Sequence, residues 1–278
     1  MTDWQRRTER LEKRLARVAR EQGIDQERLR RWVSFLALCG VMERAVEEGV
    51  LRFYHLKGGA ALELRFATRA RATKDLDLGM EGERAGRLDL LQQALRPGFD
   101  EFTFRVKAQT RDMEQADTIR VSVAVQYRTR SWQTIEVDLG PAKTNEADLV
   151  EPRVQGLAEL GLRLASPVRC LNLEEQVAQK LHACTAPRGS SGRARDVLDI
   201  LVIDMIGGLD YHRTAAAARR VFAERATHPF PPASSTPAAW RAELEALARQ
   251  LGYPLTSAVR IEERFAETVQ LIAGSVQK

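Results

Sequence analysis

Two segments in the middle of the chain alternate apolar and polar residues, and this pattern restricts the folds open to it. In IRVSVAVQY every second residue from Ile119 to Tyr127 is apolar, and TIEVDLG continues the pattern from Ile135 to Leu139. A period of two predicts strands with one buried face. Residues 128–131 predict a turn between them, so we expect two antiparallel neighbours in one sheet.

Helical patterns surround these strands. We predict helices at residues 2–22, 25–48 and 82–95, a short helix in AALELRFA and a strand in DLDLGM. From Leu173 onward the pattern is helical throughout, with predicted helices at about 173–186, 195–206, 211–226, 237–251 and 257–274. The predicted fold class is therefore α+β, with a mixed sheet and flanking helices in residues 1–165 and an all-helical domain in residues 166–278.

Composition narrows the class of protein. Of 278 residues, 44% are hydrophobic and 29% charged, which is typical of a folded globular chain. No apolar run approaches the roughly 20 residues that span a bilayer, so we expect a cytoplasmic protein without a membrane partner. The formal net charge of +5 permits a nucleic-acid partner. Only seven of the 43 basic residues are lysine, which draws attention to each lysine beside a possible phosphate site.

The DLDL segment carries the first candidate site. In a strand, Asp75 and Asp77 point to the same face, and two like charges so close together favour a bound cation. Carboxylates with room for water and phosphate suit Mg²⁺. Asp138 in IEVDL supplies a third carboxylate if its strand lies beside theirs, and three carboxylates would hold two metal ions for phosphoryl or nucleotidyl transfer. Glu136 remains an alternative third ligand.

A Lys-Gly-Gly turn precedes the short helix. Gly58 and Gly59 lack Cβ atoms, so backbone N–H groups at the helix start can approach a triphosphate. Lys57 or Lys74 could add positive charge there. Thr73 could contact the nucleotide, receive a modification or complete a turn.

A second cluster lies in LEEQVAQKLHACTAPRGSSGRARDVLDI. Lys180 sits near the edge of the buried face of its helix, so its long side chain either reaches a cleft or is exposed. Asp196 and Asp199 share a helix face, and both are also explained as acids near a helix N-terminus. Three arginines flank GSSG and either grip a phosphate or RNA backbone or form a solvated loop: Arg188, Arg193 and Arg195.

The order of these motifs resembles a known family. LKGGAALELRFATRARATKDLDL is similar to the first motif of the AbiEii/AbiGii nucleotidyltransferase-like toxins, which have the DNA polymerase β type of fold, and the segment around Lys180 is similar to their second motif. By this resemblance Gly58, Gly59, Asp75 and Asp77 fall on nucleotide and metal positions. Lys180 falls on the lysine of the second motif, and Asp196 on the aspartate of its Arg-Asp pair. Asp138 matches by its strand context alone.

The resemblance implies a function. It implies a Mg²⁺-dependent or Mn²⁺-dependent enzyme that moves a nucleoside monophosphate from an NTP to an acceptor hydroxyl, as the toxin of a toxin–antitoxin pair. Such family members modify the 3′ end of tRNA and block translation, and they are encoded beside a cognate antitoxin.

Other functions remain open from the residues alone. One is an NTP-binding regulatory module without transfer activity, and another is transfer to a protein side chain. A plain RNA- or DNA-binding protein is a third. A glycosyltransferase is disfavoured because no doubly wound βα pattern precedes the D-x-D motif.

Overall fold

A computed structural model describes residues 3–113, 117–142, 146–187 and 192–275 of the chain. The chain divides into two compact units. Unit 1 comprises residues 1–67 and 72–171, and unit 2 comprises residues 68–71 and 172–278.

The described part of unit 1 contains four α-helices: α1 (Asp3–Glu21), α2 (Gln26–Glu47), α3 (Gly58–Phe66) and α4 (Arg84–Leu95). Asp25 caps the N-terminus of α2, because its carboxylate accepts a hydrogen bond of 2.8 Å from the backbone N–H of Arg28. Most of α2 is buried, and this helix packs against β5 and β7 of the sheet.

The described part of unit 1 has a sheet with the strand order β3-β4-β5-β2-β1-β7-β6. The strands are β1 (Tyr54–Lys57), β2 (Asp75–Met80), β3 (Phe102–Met113), β4 (Thr118–Tyr127), β5 (Arg130–Pro141), β6 (Asp148–Val150) and β7 (Val168–Cys170). β4 and β5 are antiparallel neighbours, as predicted. β2 pairs with β5 in parallel and with β1 in antiparallel orientation.

The two faces of the central strands differ in polarity. Residues 121, 123, 135 and 137 have buried apolar side chains on the face that α2 and α4 cover. Because side chains alternate along a strand, the residues between them point to the opposite face. That second face carries the charged side chains of β2, β4 and β5.

In unit 2 the described residues form five α-helices: α5 (Leu173–Cys184), α6 (Ala194–Gly207), α7 (Tyr211–Arg225), α8 (Arg241–Leu251) and α9 (Ala258–Gly274). The predicted helical character of this half is confirmed. Asn172 caps α5 by accepting a 2.9 Å hydrogen bond from the Glu175 N–H. Within the described ranges, no helix is both long and apolar enough to cross a bilayer.

Candidate active site

Four carboxylates share the polar face of the central strands. Asp77 on β2 pairs in register with Asp138 on β5, and Asp75 pairs with Glu136. Residues paired in register on adjacent strands point to the same side of a sheet. Asp75, Asp77, Glu136 and Asp138 therefore form one surface, which we call the carboxylate face. The expectation that the Asp138 strand lies beside DLDL is confirmed.

Arg120 also lies on the carboxylate face. It pairs with Asp138 from β4, the strand that borders β5 on the side away from β2. It donates two hydrogen bonds of 2.6 Å to the two oxygens of Asp138, and its Nη2 lies 3.5 Å from Asp75 Oδ2. The hydrogen bonds to Asp138 raise the pKa of the guanidinium above its ordinary value, and the charge of Asp75 adds to the shift. We did not identify Arg120 from the sequence. The alternation along β4 nevertheless places its side chain on the opposite face of the strand from the buried Val121.

Glu136 has a different neighbour. The Ser122 hydroxyl on β4 donates a 2.7 Å hydrogen bond to Glu136 Oε1. Asp138 and Glu136, the two alternatives for a third metal ligand, thus both accept hydrogen bonds from β4 side chains.

The Lys-Gly-Gly turn meets the carboxylate face at the start of α3. Gly58 has a φ of +63°, in the left-handed region that favours glycine, and a Cβ there would overlap the Asp77 carboxylate. Lys57 pairs with Asp77 across β1 and β2, and a Cβ at Gly140 would lie 2.7 Å from Lys57 Nζ. Glycine at both positions therefore lets the helix N-terminus and a lysine come close to the carboxylates.

The segment before β2 is held by a buried acid that sequence reasoning also missed. Glu63 on α3 accepts a 3.0 Å hydrogen bond from the Thr73 N–H and a 2.6 Å hydrogen bond from Arg28 Nε. Burial raises the pKa of Glu63, and Arg28 opposes that shift. A Cβ at Gly59 would lie 2.9 Å from Thr73 Cβ. Thr73 is thus buried against the Gly-Gly turn, whereas Lys74 is exposed.

His55 precedes Lys57 by two residues on β1 and pairs with Gly79 on β2, so it lies on the same side of the sheet as the carboxylate face. It is 2% exposed, and a Cβ at Gly79 would overlap its imidazole. Burial, together with the charge of Lys57, lowers the pKa of His55 to about 4. Its Nδ1 has no hydrogen-bond partner among the described residues. The imidazole is therefore neutral near pH 7.

The donor set suits one kind of metal ion. In the described part of the chain, no group of three or more His, Cys, Asp and Glu side chains could hold a metal by itself. Asp75 and Asp77 offer hard carboxylate oxygens on one face, and the start of α3 at Gly58 lies against the Asp77 carboxylate. Mg²⁺ is commonly held by one or two carboxylates with water and substrate phosphates, so these residues fit that ion.

Unit 2 has a charged cluster of its own. Lys180 on α5 donates to Asp196 at 3.0 Å and to Asp199 at 2.7 Å, and all three side chains are buried. Burial alone would lower the pKa of Lys180, but Asp199 and Asp196 raise it above its ordinary value. Lys180 is therefore charged. The alternative of an exposed lysine is wrong, and Asp199 is an ion-pair partner rather than merely an acid near a helix start.

Three arginines belong to the same unit. Arg71 Nε lies 3.2 Å from Asp199 Oδ2, and Arg193 Nη1 lies 3.0 Å from Asp196 Oδ2. Arg195 is exposed and donates a 2.7 Å hydrogen bond to the Gly192 carbonyl. The predicted position Arg188 lies outside the described residues. Both carboxylates that contact Lys180 thus have a second cationic neighbour.

Comparison with known proteins identifies the family. Residues 41–270 match the family described as nucleotidyl transferase AbiEii toxin, type IV TA system. The chain belongs to this family. It is accordingly a nucleotidyltransferase, and the resemblance seen in its motifs is confirmed. A comparison with curated proteins gives no match.

Two solved structures are similar to this AbiEii family member. MenT4, a nucleotidyltransferase toxin from Mycobacterium tuberculosis, is 16% identical, with 95% of this chain and 99% of MenT4 covered and a TM-score of 0.53. JHP933 from Helicobacter pylori is 16% identical over 85% of this chain and 90% of its own, with a TM-score of 0.47. The likeness to MenT4 confirms the predicted fold class.

Proposed function

We propose that this AbiEii family member transfers a nucleoside monophosphate from an NTP to an acceptor hydroxyl at the 3′ end of tRNA and thereby blocks translation. The observation that carries the proposal is the carboxylate face beside a glycine-lined helix N-terminus. Asp75 and Asp77 supply the metal ligands, and glycine at position 58 lets the start of α3 lie against the Asp77 carboxylate.

The start of α3 serves the triphosphate. Unpaired N–H groups and the helix dipole favour an anion at a helix N-terminus. Gly58 and Gly59 bring that backbone close to Asp77 and Thr73, and Lys57 adds a positive charge on the same side of the sheet. In this account Lys57, Thr73 and Lys74 join the two glycines in binding the nucleotide.

The reaction is a substitution at phosphorus. The acceptor oxygen forms a bond to the α-phosphorus, the bond from that phosphorus to the bridging oxygen breaks, and pyrophosphate leaves while the hydroxyl proton passes to solvent. When bound, Mg²⁺ would neutralise charge on the phosphate oxygens. The task of Asp75 and Asp77 is to fix the geometry of the reacting groups.

Lys180 and Asp196 keep the roles that family resemblance gives them, which are to position phosphate and acceptor. The Lys180 ammonium is fixed by Asp196 and Asp199, so it is a charge of defined position. The formal net charge of +5 and a pI of about 9.3 favour an RNA acceptor. Arg188, Arg193 and Arg195 are candidates for contacts with its backbone.

The family description as a type IV toxin supports two further proposals. We expect a cognate antitoxin encoded next to this gene. We also expect the protein to act in the cytoplasm, where NTP and tRNA are available.

Label transfer tests the proposal. The purified chain is incubated with Mg²⁺, total tRNA and each NTP in turn, labelled at the α-phosphate, beside Asp77→Asn and a control variant, Asp210→Asn, at the N-terminus of α7. We expect label in the tRNA with wild type and control, and none with Asp77→Asn. Label in a protein band instead would show that the acceptor is a protein side chain. Nucleotide binding without any labelled product would leave a regulatory NTP-binding module.

A further inference from the structure

Arg120 distinguishes Asp138 from the other acids of the carboxylate face. Both Asp138 oxygens accept hydrogen bonds of 2.6 Å from it, and the Asp138 side chain is 11% exposed. Bidentate arginine–carboxylate pairs are among the stronger charged hydrogen bonds. A divalent cation at the same oxygens would lie beside the guanidinium charge, and that repulsion disfavours it.

The net charge on this side of the sheet supports the same conclusion. Among the described residues, Arg120 and Lys57 are cationic side chains on the same side of the sheet as the four carboxylates. The Lys57 ammonium reaches across the sheet toward Gly140, where a Cβ would be 2.7 Å from it. These six side chains together retain two negative charges, which one divalent cation balances.

The contacts of the four carboxylates assign the two remaining negative charges to Asp75 and Asp77 on β2. Asp138 lies at Arg120, and Glu136 accepts the Ser122 hydroxyl at 2.7 Å. The Asp77 carboxylate lies against Gly58 at the start of α3. The Asp75 side chain is 40% exposed and meets Arg120 at one oxygen only, at 3.5 Å. The carboxylates that can meet a metal and a triphosphate together are thus those of β2.

We propose that Arg120 takes the place of a second metal ion, so that this nucleotidyltransferase holds a single divalent cation at Asp75 and Asp77. This inference rests on the proposed function and replaces the expectation of two metal ions held by three carboxylates. Asp138 is then a positioning residue that holds the guanidinium, and the guanidinium is a fixed positive charge beside the phosphates.

Counting bound metal ions tests this directly. The full chain is dialysed to equilibrium against Mn²⁺ and a non-hydrolysable NTP analogue, and the bound Mn²⁺ is measured per bound nucleotide. We expect one Mn²⁺ per nucleotide in the wild type. In Arg120→Gln the released Asp138 should admit a second Mn²⁺, with an affinity at least tenfold above any second site of the wild type. The double variant Arg120→Gln/Asp138→Asn should return to one.

The controls separate this inference from the proposed function. Arg128→Gln breaks another arginine–carboxylate pair of unit 1, with Glu101, and should still bind one Mn²⁺. Arg120→Lys, which keeps a charge without the two-pronged contact, should bind one even if Arg120→Gln fails to fold. Two Mn²⁺ in the wild type, or a second Mn²⁺ with Arg120→Lys but none with Arg120→Gln, would overturn the inference. Nucleotide-dependent Mn²⁺ binding that survives Asp77→Asn unchanged would instead contradict the proposed metal site.

Discussion

Asp77 on β2 lies directly opposite Asp138 on β5 in the parallel pairing of the two strands. The pairing brings together residues 61 positions apart in the sequence, and it does so where the start of α3 also meets the sheet. Arg120 then distinguishes the two acids, because it bonds both oxygens of Asp138. A carboxylate pair that looks equivalent by sequence therefore divides into Asp138, which binds the arginine, and Asp77, to which we assign the metal in the proposed function.

Gly58→Ala should nearly abolish transfer. An alanine at this position would have to adopt a φ of +63°, and its Cβ would overlap the Asp77 carboxylate. Misplacing a reacting group by about 1 Å can cost on the order of 100-fold, so we expect at least that loss in kcat/KM. Gly86→Ala is the matched control, because no atom lies within 4 Å of a Cβ there. Equal activity of the two variants would contradict the role given to Gly58.

Lys180→Met should destabilise unit 2. It leaves Asp196 and Asp199 buried without their shared cation, and breaking a buried ion pair typically costs about 3–5 kcal/mol. Urea unfolding followed by circular dichroism measures the loss. Arg241→Gln removes an arginine that is 55% exposed from its pair with Glu262, and should cost about 1 kcal/mol or less. Similar losses in both variants would mean that the buried cluster contributes little.

His55 should make stability fall on mild acidification. Its pKa is about 4 in the folded chain against 6.5 for a free imidazole, so between these values the unfolded chain binds the proton and the folded chain does not. This contribution is intact above pH 6.5 and is lost as the pH falls, by about 2 kcal/mol at pH 5. When the pH falls from 7.5 to 5, the free energy of unfolding of His55→Gln should therefore decrease by about 2 kcal/mol less than that of the wild type. His212→Gln, at an exposed position, should follow the wild type.

Glu63→Gln should loosen the segment that leads into β2. The change replaces a charged acceptor of the Thr73 N–H and of Arg28 with a neutral amide. Hydrogen bonds to charged groups contribute about 1.5–3 kcal/mol, so we expect faster hydrogen exchange at the Thr73 amide and a lower urea midpoint. Glu48→Gln, in an exposed pair with Arg44 at 3.8 Å, should change neither. An unchanged exchange rate at Thr73 would show that Glu63 does not hold this segment.

Local pattern predicts much of this fold. The alternation from Ile119 to Tyr127 predicts β4 and its buried face, and the five helices of unit 2 follow from their apolar spacing. β3 was not predicted, although Phe102, Phe104 and Val106 alternate with polar residues in its first half. Its second half contains two register shifts against β4. β6 and β7 have three residues each, which is too short to give a period.

The candidate site is predictable in composition but not in contacts. Asp75 and Asp77 are identified by their spacing, whereas their pairing with β5 is long-range and leaves no local signal. Arg120 could be assigned to the polar face by alternation, yet its meeting with Asp138 depends on the irregular register of β4 and β5 near Val125. The partners of Lys180 depend on how α5 and α6 pack, and helix periodicity does not fix that arrangement.

The most direct test of nucleotidyl transfer compares the position of the label in the NTP. Wild-type protein is incubated with Mg²⁺ and tRNA, once with NTP labelled at the α-phosphate and once at the γ-phosphate. The account predicts that the α-label enters RNA, that the γ-label is recovered in pyrophosphate, and that Asp77→Asn shows neither. If the γ-label enters the product and the α-label stays in released nucleoside diphosphate, the reaction is phosphoryl transfer and the central claim is wrong.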